Sequence, residues 1–156
     1  MMYERMDLSR GFQIEEPNIF IPWDTPQSQF QNGFERLHLR HVTHGYFTTH
    51  CTSLNGLSHE LGFHFYPRNN GTLVEFEFFL SSPDLAASYQ KFQHHLEATF
   101  GEPTITLHGS EGYPSHTWRF RGAEVIHFVQ EHFGPAEYVR IKKTVELKGV
   151  AVETSS

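Results

Sequence analysis

Apolar and polar residues alternate most cleanly in the middle of the chain. Leu61, Phe63 and Phe65 alternate with Gly62, His64 and Tyr66. After Pro67-Arg68-Asn69-Asn70-Gly71, Val74, Phe76, Phe78 and Leu80 alternate with Glu75, Glu77 and Phe79. Two period-two runs around Asn-Gly predict a β-hairpin with one buried face. A two-residue Asn70-Gly71 turn pairs Phe65 with Phe76. A four-residue loop, Arg68 to Gly71, pairs Phe65 with Val74 and Phe63 with Phe76. Both keep apolar on apolar, because they differ by an even shift. The longer loop fits better, since it spares Pro67 a bonded position where its missing N–H is a defect.

The period then changes. Leu85, Tyr89, Phe92, Leu96 and Phe100 recur at spacings of four, three, four and four, which predicts a helix over 83–100. Ser82 is the expected cap, Pro83 suits the first position, and Gly101 with Pro103 marks the end. A shorter helix is expected near 26–38, capped by Thr25 and carrying Phe30, Phe34 and Leu37 on one face. Short strands are expected at Asn18–Trp23, Leu39–Val42, Tyr46–Ser53 and Thr104–Leu107. His116–Arg121 and Val125–Gln130 predict a second hairpin. A three-residue loop, Gly122 to Glu124, pairs Phe120 with Ile126 and Trp118 with Phe128. Tyr138–Lys142 is the last expected strand, with Val139 and Ile141 inward. Hairpins dominate and no βαβ series is evident. The expected fold is α+β: a mostly antiparallel sheet built from hairpins, with one principal helix packed on a face. No repeat of fixed period is visible.

A length of 156 residues suits one domain, expected over 12–143, with a loose lead-in at 1–11 and a polar tail at 144–156. The formal charge is −6, which argues against a nucleic-acid partner, because phosphate neutralisation needs a basic face. No apolar run approaches the ~20 residues of a transmembrane helix, so no membrane association is expected, and nothing near Met1 reads as a secretory signal. A single cysteine, Cys51, excludes an intramolecular disulfide and reads as a small buried hydrophobe in a reducing, cytoplasmic setting.

Twelve histidines are the open variable. His38, His41 and His44 form a His-x-x-His-x-x-His run, a candidate ligand set for a transition metal, with His64 as a further candidate. On a strand, however, His41 faces away from the other two. His59-Glu60-Leu61-Gly62-Phe63-His64 misses the zincin spacing by one residue. His64 faces Glu75 or Glu77 across the first hairpin, where a solvated pair is the plainer expectation. Gly109-Ser110-Glu111-Gly112 lacks the Lys and the context of a phosphate loop. No cofactor and no catalytic residue is therefore expected.

The charge pattern is more suggestive. Arg119, Arg121, Arg140 and Lys142 project opposite Trp118, Phe120, Val139 and Ile141, which predicts a basic stripe containing His127. Glu60, Glu75 and Glu77 give the first hairpin an acidic outward face. Such a split surface suits a charged protein partner.

Ile21-Pro22-Trp23-Asp24-Thr25-Pro26, Phe100-Gly101-Glu102-Pro103 and the stretch from Trp118 through Phe133-Gly134 resemble the punctuation of small bacterial immunity proteins. That resemblance implies a single acidic α/β domain that binds a toxin partner and blocks it by surface occlusion. It names no site residue. The alternative is an enzyme or a small-ligand or metal-binding protein using histidines in a sheet–helix cleft.

Overall fold

The computed structural model describes residues 7–131 and 133–145. It has the expected α+β, mostly antiparallel architecture. Two short strands, β1 (Gly11–Ile14) and β2 (Ile19–Pro22), form a small antiparallel sheet. Helix α1 (Gln27–Gly33) follows, then a 3-10 turn at Glu35–Leu37. Four strands come next: β3 (Arg40–Thr43), β4 (Tyr46–Ser53), β5 (Leu57–Tyr66) and β6 (Thr72–Phe79). Helix α2 (Leu85–Phe100) leads into β7 (Ile105–Leu107), β8 (Ser115–Phe120), β9 (Ala123–Glu131) and β10 (Pro135–Lys143). The eight strands β3 to β10 form one sheet in the order β3-β4-β5-β6-β10-β9-β8-β7.

This order reveals a repeat that the residues do not announce. A helix followed by a four-strand meander occurs twice, as α1 with β3 to β6 and as α2 with β7 to β10. Within each meander neighbours in sequence are neighbours in space. The halves meet at a single seam, the antiparallel pair β6·β10, which aligns Phe78 with Val139 and Phe76 with Ile141.

Both helices and the small sheet lie on one face of the large sheet. Phe30 of α1 packs on Phe47, Phe63 and Phe65, with ring centroids 4.7–5.8 Å apart. Phe12 of β1 packs on Phe76 and Phe78 at 5.3 and 5.4 Å, and Trp23 covers Phe76 at 5.0 Å. Phe92, Leu96 and Phe100 of α2 cover the second meander, against His127 and Trp118. Gly11 is needed where β1 meets β2: its φ is +152°, and a Cβ there would lie 2.1 Å from the Ile21 carbonyl oxygen.

Several local expectations are corrected. The first helix is shorter than 26–38, because Phe34 leaves helical geometry between α1 and the 3-10 turn. Thr25 does not cap it; its hydroxyl donates to the Pro22 carbonyl at 2.6 Å. Helix α2 starts at Leu85 rather than 83, because the Asp84 carboxylate accepts from the Ala87 N–H at 3.1 Å and so wins the cap from Ser82. In the first hairpin Phe63 pairs with Phe76, as expected. Phe65 pairs with Leu73 instead of Val74, because the ladder shifts register beyond the His64–Glu75 pair. In the second hairpin Phe120 pairs with Ala123 and Trp118 with Val125, not with Ile126 and Phe128. The turn is two residues, Arg121-Gly122, with Gly122 at φ +77°. That odd shift turns Val125, His127 and Val129 inward and leaves Ile126 and Phe128 on the other face.

Of the expected lead-in 1–11, residues 1–6 lie outside the described residues. Leu8 is buried and its carbonyl accepts from the Trp23 indole at 2.7 Å. Of the expected tail 144–156, residues 146–156 lie outside the described residues. No described helix is long and apolar enough to cross a membrane.

Candidate functional site

Among the described residues every covering element lies on one side, and the other face of the eight-stranded sheet is open. Its central residues come from β4, β5, β6, β10 and β9. Glu75 and Glu77 stand two apart on β6 and share this face. His64 of β5 lies directly opposite Glu75, and Gly62 opposite Glu77. Across the seam, Arg140 lies opposite Glu77 and Lys142 opposite Glu75.

Four of the six residues expected to bind a partner, Glu75, Glu77, Arg140 and Lys142, are therefore brought together. His64 Nε2 lies 2.8 Å from Glu77 Oε1. Arg140 Nε lies 3.5 Å from Glu75 Oε2, and a terminal nitrogen lies 3.7 Å from Glu77 Oε2. The expected split into separate acidic and basic stripes is corrected: β6 and β10 are neighbours, so the two signs face and offset each other. Arg119 stands apart on β8, paired with Glu124 at 3.4 Å, and Arg121 sits in the β8–β9 turn.

The histidine run does not converge. His38 closes the 3-10 turn with φ 53°, His41 stacks on Phe47 at 4.8 Å, and His44 lies exposed in the β3–β4 turn. Among the described residues the one cluster of metal-ligating groups combines His64 with Glu75 and Glu77.

Aromatic residues that sequence reasoning passed over complete the face. Tyr46 stacks on His64 with centroids 4.4 Å apart. It lies across Gly62, where a Cβ would come within 2.7 Å of its hydroxyl oxygen. Burial, then the charge of Glu77, pushes the Tyr46 phenol up to about 12. Tyr138 stacks on Phe128 at 5.0 Å, and the Arg140 guanidinium sits 5.0 Å from the Tyr138 ring centre. Phe79 follows Phe78 on β6 and Tyr138 precedes Val139 on β10, so both emerge on the open face at the seam. The strand pattern marks Tyr138 as outward. The misjudged turn at Arg121-Gly122 is what hid Phe128.

A second polar group lies on the covered side. His127, expected in the outward stripe, has 0% exposure beneath α2. Its Nδ1 meets Gln93 Oε1 at 2.7 Å and its Nε2 meets Glu137 Oε2 at 2.5 Å. Gln93 donates its amide to Glu97, which fixes its oxygen toward the ring. The Gln93 oxygen can only accept, so His127 Nδ1–H donates to it and Nε2 is turned toward the Glu137 carboxylate. Ser88 donates to the other Glu137 oxygen at 2.5 Å, and Tyr89 stacks on the imidazole at 4.3 Å. Neighbouring His116 is held below the ordinary histidine value by burial and by His127. Ser88 and Glu137 line a cleft of about 240 Å3 with Leu80, Ser82, Leu85 and Pro135. Ser88 gives its proton to the carboxylate and not to the imidazole, so this group lacks the nucleophile–base–orienter order of a hydrolytic triad.

Burial pushes the Cys51 thiol up to about 12 and His59 down to about 4. His59 Nε2 meets the Ser53 hydroxyl at 2.5 Å. No family model matches the chain, and neither does any curated protein or solved structure.

Proposed function

We propose that the chain is a non-enzymatic binding protein that holds a protein partner on the open face of its sheet. In its sharpest form it is an immunity protein that occludes a toxin in the bacterial cytoplasm. One observation carries this reading. The helices and the small sheet all cover one face, while the other carries Tyr46, Phe79, Phe128 and Tyr138 around a compact ionic group. Aromatic anchors beside arginine are the residue types that concentrate binding energy at protein interfaces. The formal charge of −6 favours a basic partner by speeding encounter. The interleaved acids and bases at the seam then set orientation more than net attraction.

The test starts with capture from native lysate, followed by reconstitution of the complex from purified proteins. Tyr138→Ala and Phe79→Ala should each weaken it by about tenfold or more, the scale of a hot-spot truncation. Arg36→Ala, on the exposed 3-10 turn of the covered side, should leave affinity unchanged. Co-expression should protect cells from the captured protein if it is a toxin. A complex indifferent to both open-face variants would sink the proposal.

A further inference from the structure

The geometry points to a divalent transition-metal site made by His64, Glu75 and Glu77, with zinc the ion that suits the donors best. It stands independently of the docking reading, since the metal alone is the probe. Two donors sit at i and i+2 on one strand and the third on its neighbour. That arrangement aims three side chains at one point from two central, hydrogen-bonded strands. Their ligating atoms all lie within 4.8 Å of one another. Metal–donor distances of roughly 2.1 Å place the donors of one tetrahedral zinc about 3.4 Å apart. Zinc binding therefore requires rotamer adjustment of these side chains to bring the donors closer. One imidazole nitrogen with two carboxylates fits zinc, iron or manganese better than magnesium or calcium, which prefer oxygen alone. Three protein ligands leave a fourth position to solvent.

The ring is already oriented. Tyr46 stacks on His64, and the glycine at position 62 gives Tyr46 the room to do so. For Nε2 to bind metal the ring proton must sit on Nδ1, so zinc displaces the hydrogen bond to Glu77.

Arg140 supplies positive charge to this group in the chain as it stands. It reaches both carboxylates only at 3.5 and 3.7 Å, and its buried Nε has no hydrogen-bond partner among the described residues. The guanidinium therefore balances charge without satisfying either carboxylate's lone pairs. Zinc brings twice the charge at shorter distance. Arg140 keeps its place over the Tyr138 ring, and its residual repulsion lowers the affinity for the metal.

Titration calorimetry of the full chain, purified without an affinity tag, with zinc chloride as probe, reads the site directly. Cobalt(II) absorption reports tetrahedral ligation. One zinc per chain is expected. Glu77→Gln and His64→Asn should each weaken it about tenfold or more. His41→Asn should leave it unchanged. Arg140→Leu should tighten it about tenfold, a gain that misfolding does not produce. Absence of zinc uptake, uptake that survives both Glu77→Gln and His64→Asn, or an Arg140→Leu chain that binds no tighter would each overturn the assignment.

Discussion

His127 Nε2 lies 2.5 Å from Glu137 Oε2 while the imidazole has no exposed surface, so a buried polar pair sits at the centre of α2's footprint on the sheet. Removing one partner of such a pair strands the other in a low-dielectric setting. Glu137→Ala should therefore cost about 3–5 kcal/mol in urea unfolding. Ser88→Ala, which removes one donor to the same carboxylate, should cost about 1 kcal/mol. The double variant His127→Phe/Glu137→Leu should recover most of the loss, because no polar atom is then left alone. Equal losses for Glu137→Ala and Ser88→Ala would contradict this account.

Phe92 and Glu97 share α2 but face opposite ways. Phe92 is 1% exposed, against His127, whereas Glu97 is exposed and its carboxylate accepts from the Gln93 amide. Phe92→Ala should cost roughly 3–5 kcal/mol, a large part of a typical domain's total of about 5–15 kcal/mol. Glu97→Ala should change stability by about 0.5 kcal/mol or less. Chemical denaturation of both variants gives the comparison. A Phe92 loss under about 1 kcal/mol would remove α2 as the cover of the second meander.

His59 gives the fold a pH dependence. Burial holds it at about 4 in the folded chain, against an ordinary histidine value near 6.5. Between those values the unfolded chain binds more protons, so stability rises with pH across the window. On acidification the loss begins near pH 6.5 and is complete near pH 4. This group alone should make the chain roughly 2 kcal/mol less stable at pH 5 than at pH 7. Urea midpoints at the two pH values should differ less in His59→Phe than in the wild type. An unchanged difference would clear His59 of the effect.

Cys51 should be chemically silent. Its thiol is buried and pushed up to about 12, so almost no thiolate forms at pH 8. Ellman's reagent should titrate it slowly in buffer and at once in denaturing urea. Fast reaction in buffer would show that β4 opens locally.

Residues with one decisive face were readable from sequence. Phe63, Phe76, Val139 and Ile141 point inward where the alternation puts them, and Phe92, Leu96 and Phe100 mark the buried stripe of α2. The run Val125-Ile126-His127-Phe128-Val129 is apolar in both phases except at His127, so periodicity leaves its register open. The tight turn at Arg121-Gly122 settles it, at the cost of burying a histidine that needs Glu137 and Gln93 to be tolerated. The open-face cluster was half readable. Glu75, Glu77 and His64 share a face by local pattern. Their meeting with Arg140 depends on β6 and β10 being neighbours, and no local pattern records a pairing between residues more than sixty positions apart.

The single seam between the meanders also orders events during folding. Each meander closes through short turns, so its pairings cost little chain entropy, whereas β6·β10 joins segments separated by a whole helix and three strands. His64, Glu75 and Glu77 belong to the first half, Arg140 and Tyr138 to the second. The open face is thus assembled only when the last pairing forms, and a partner that reads it distinguishes a finished chain from a half-built one.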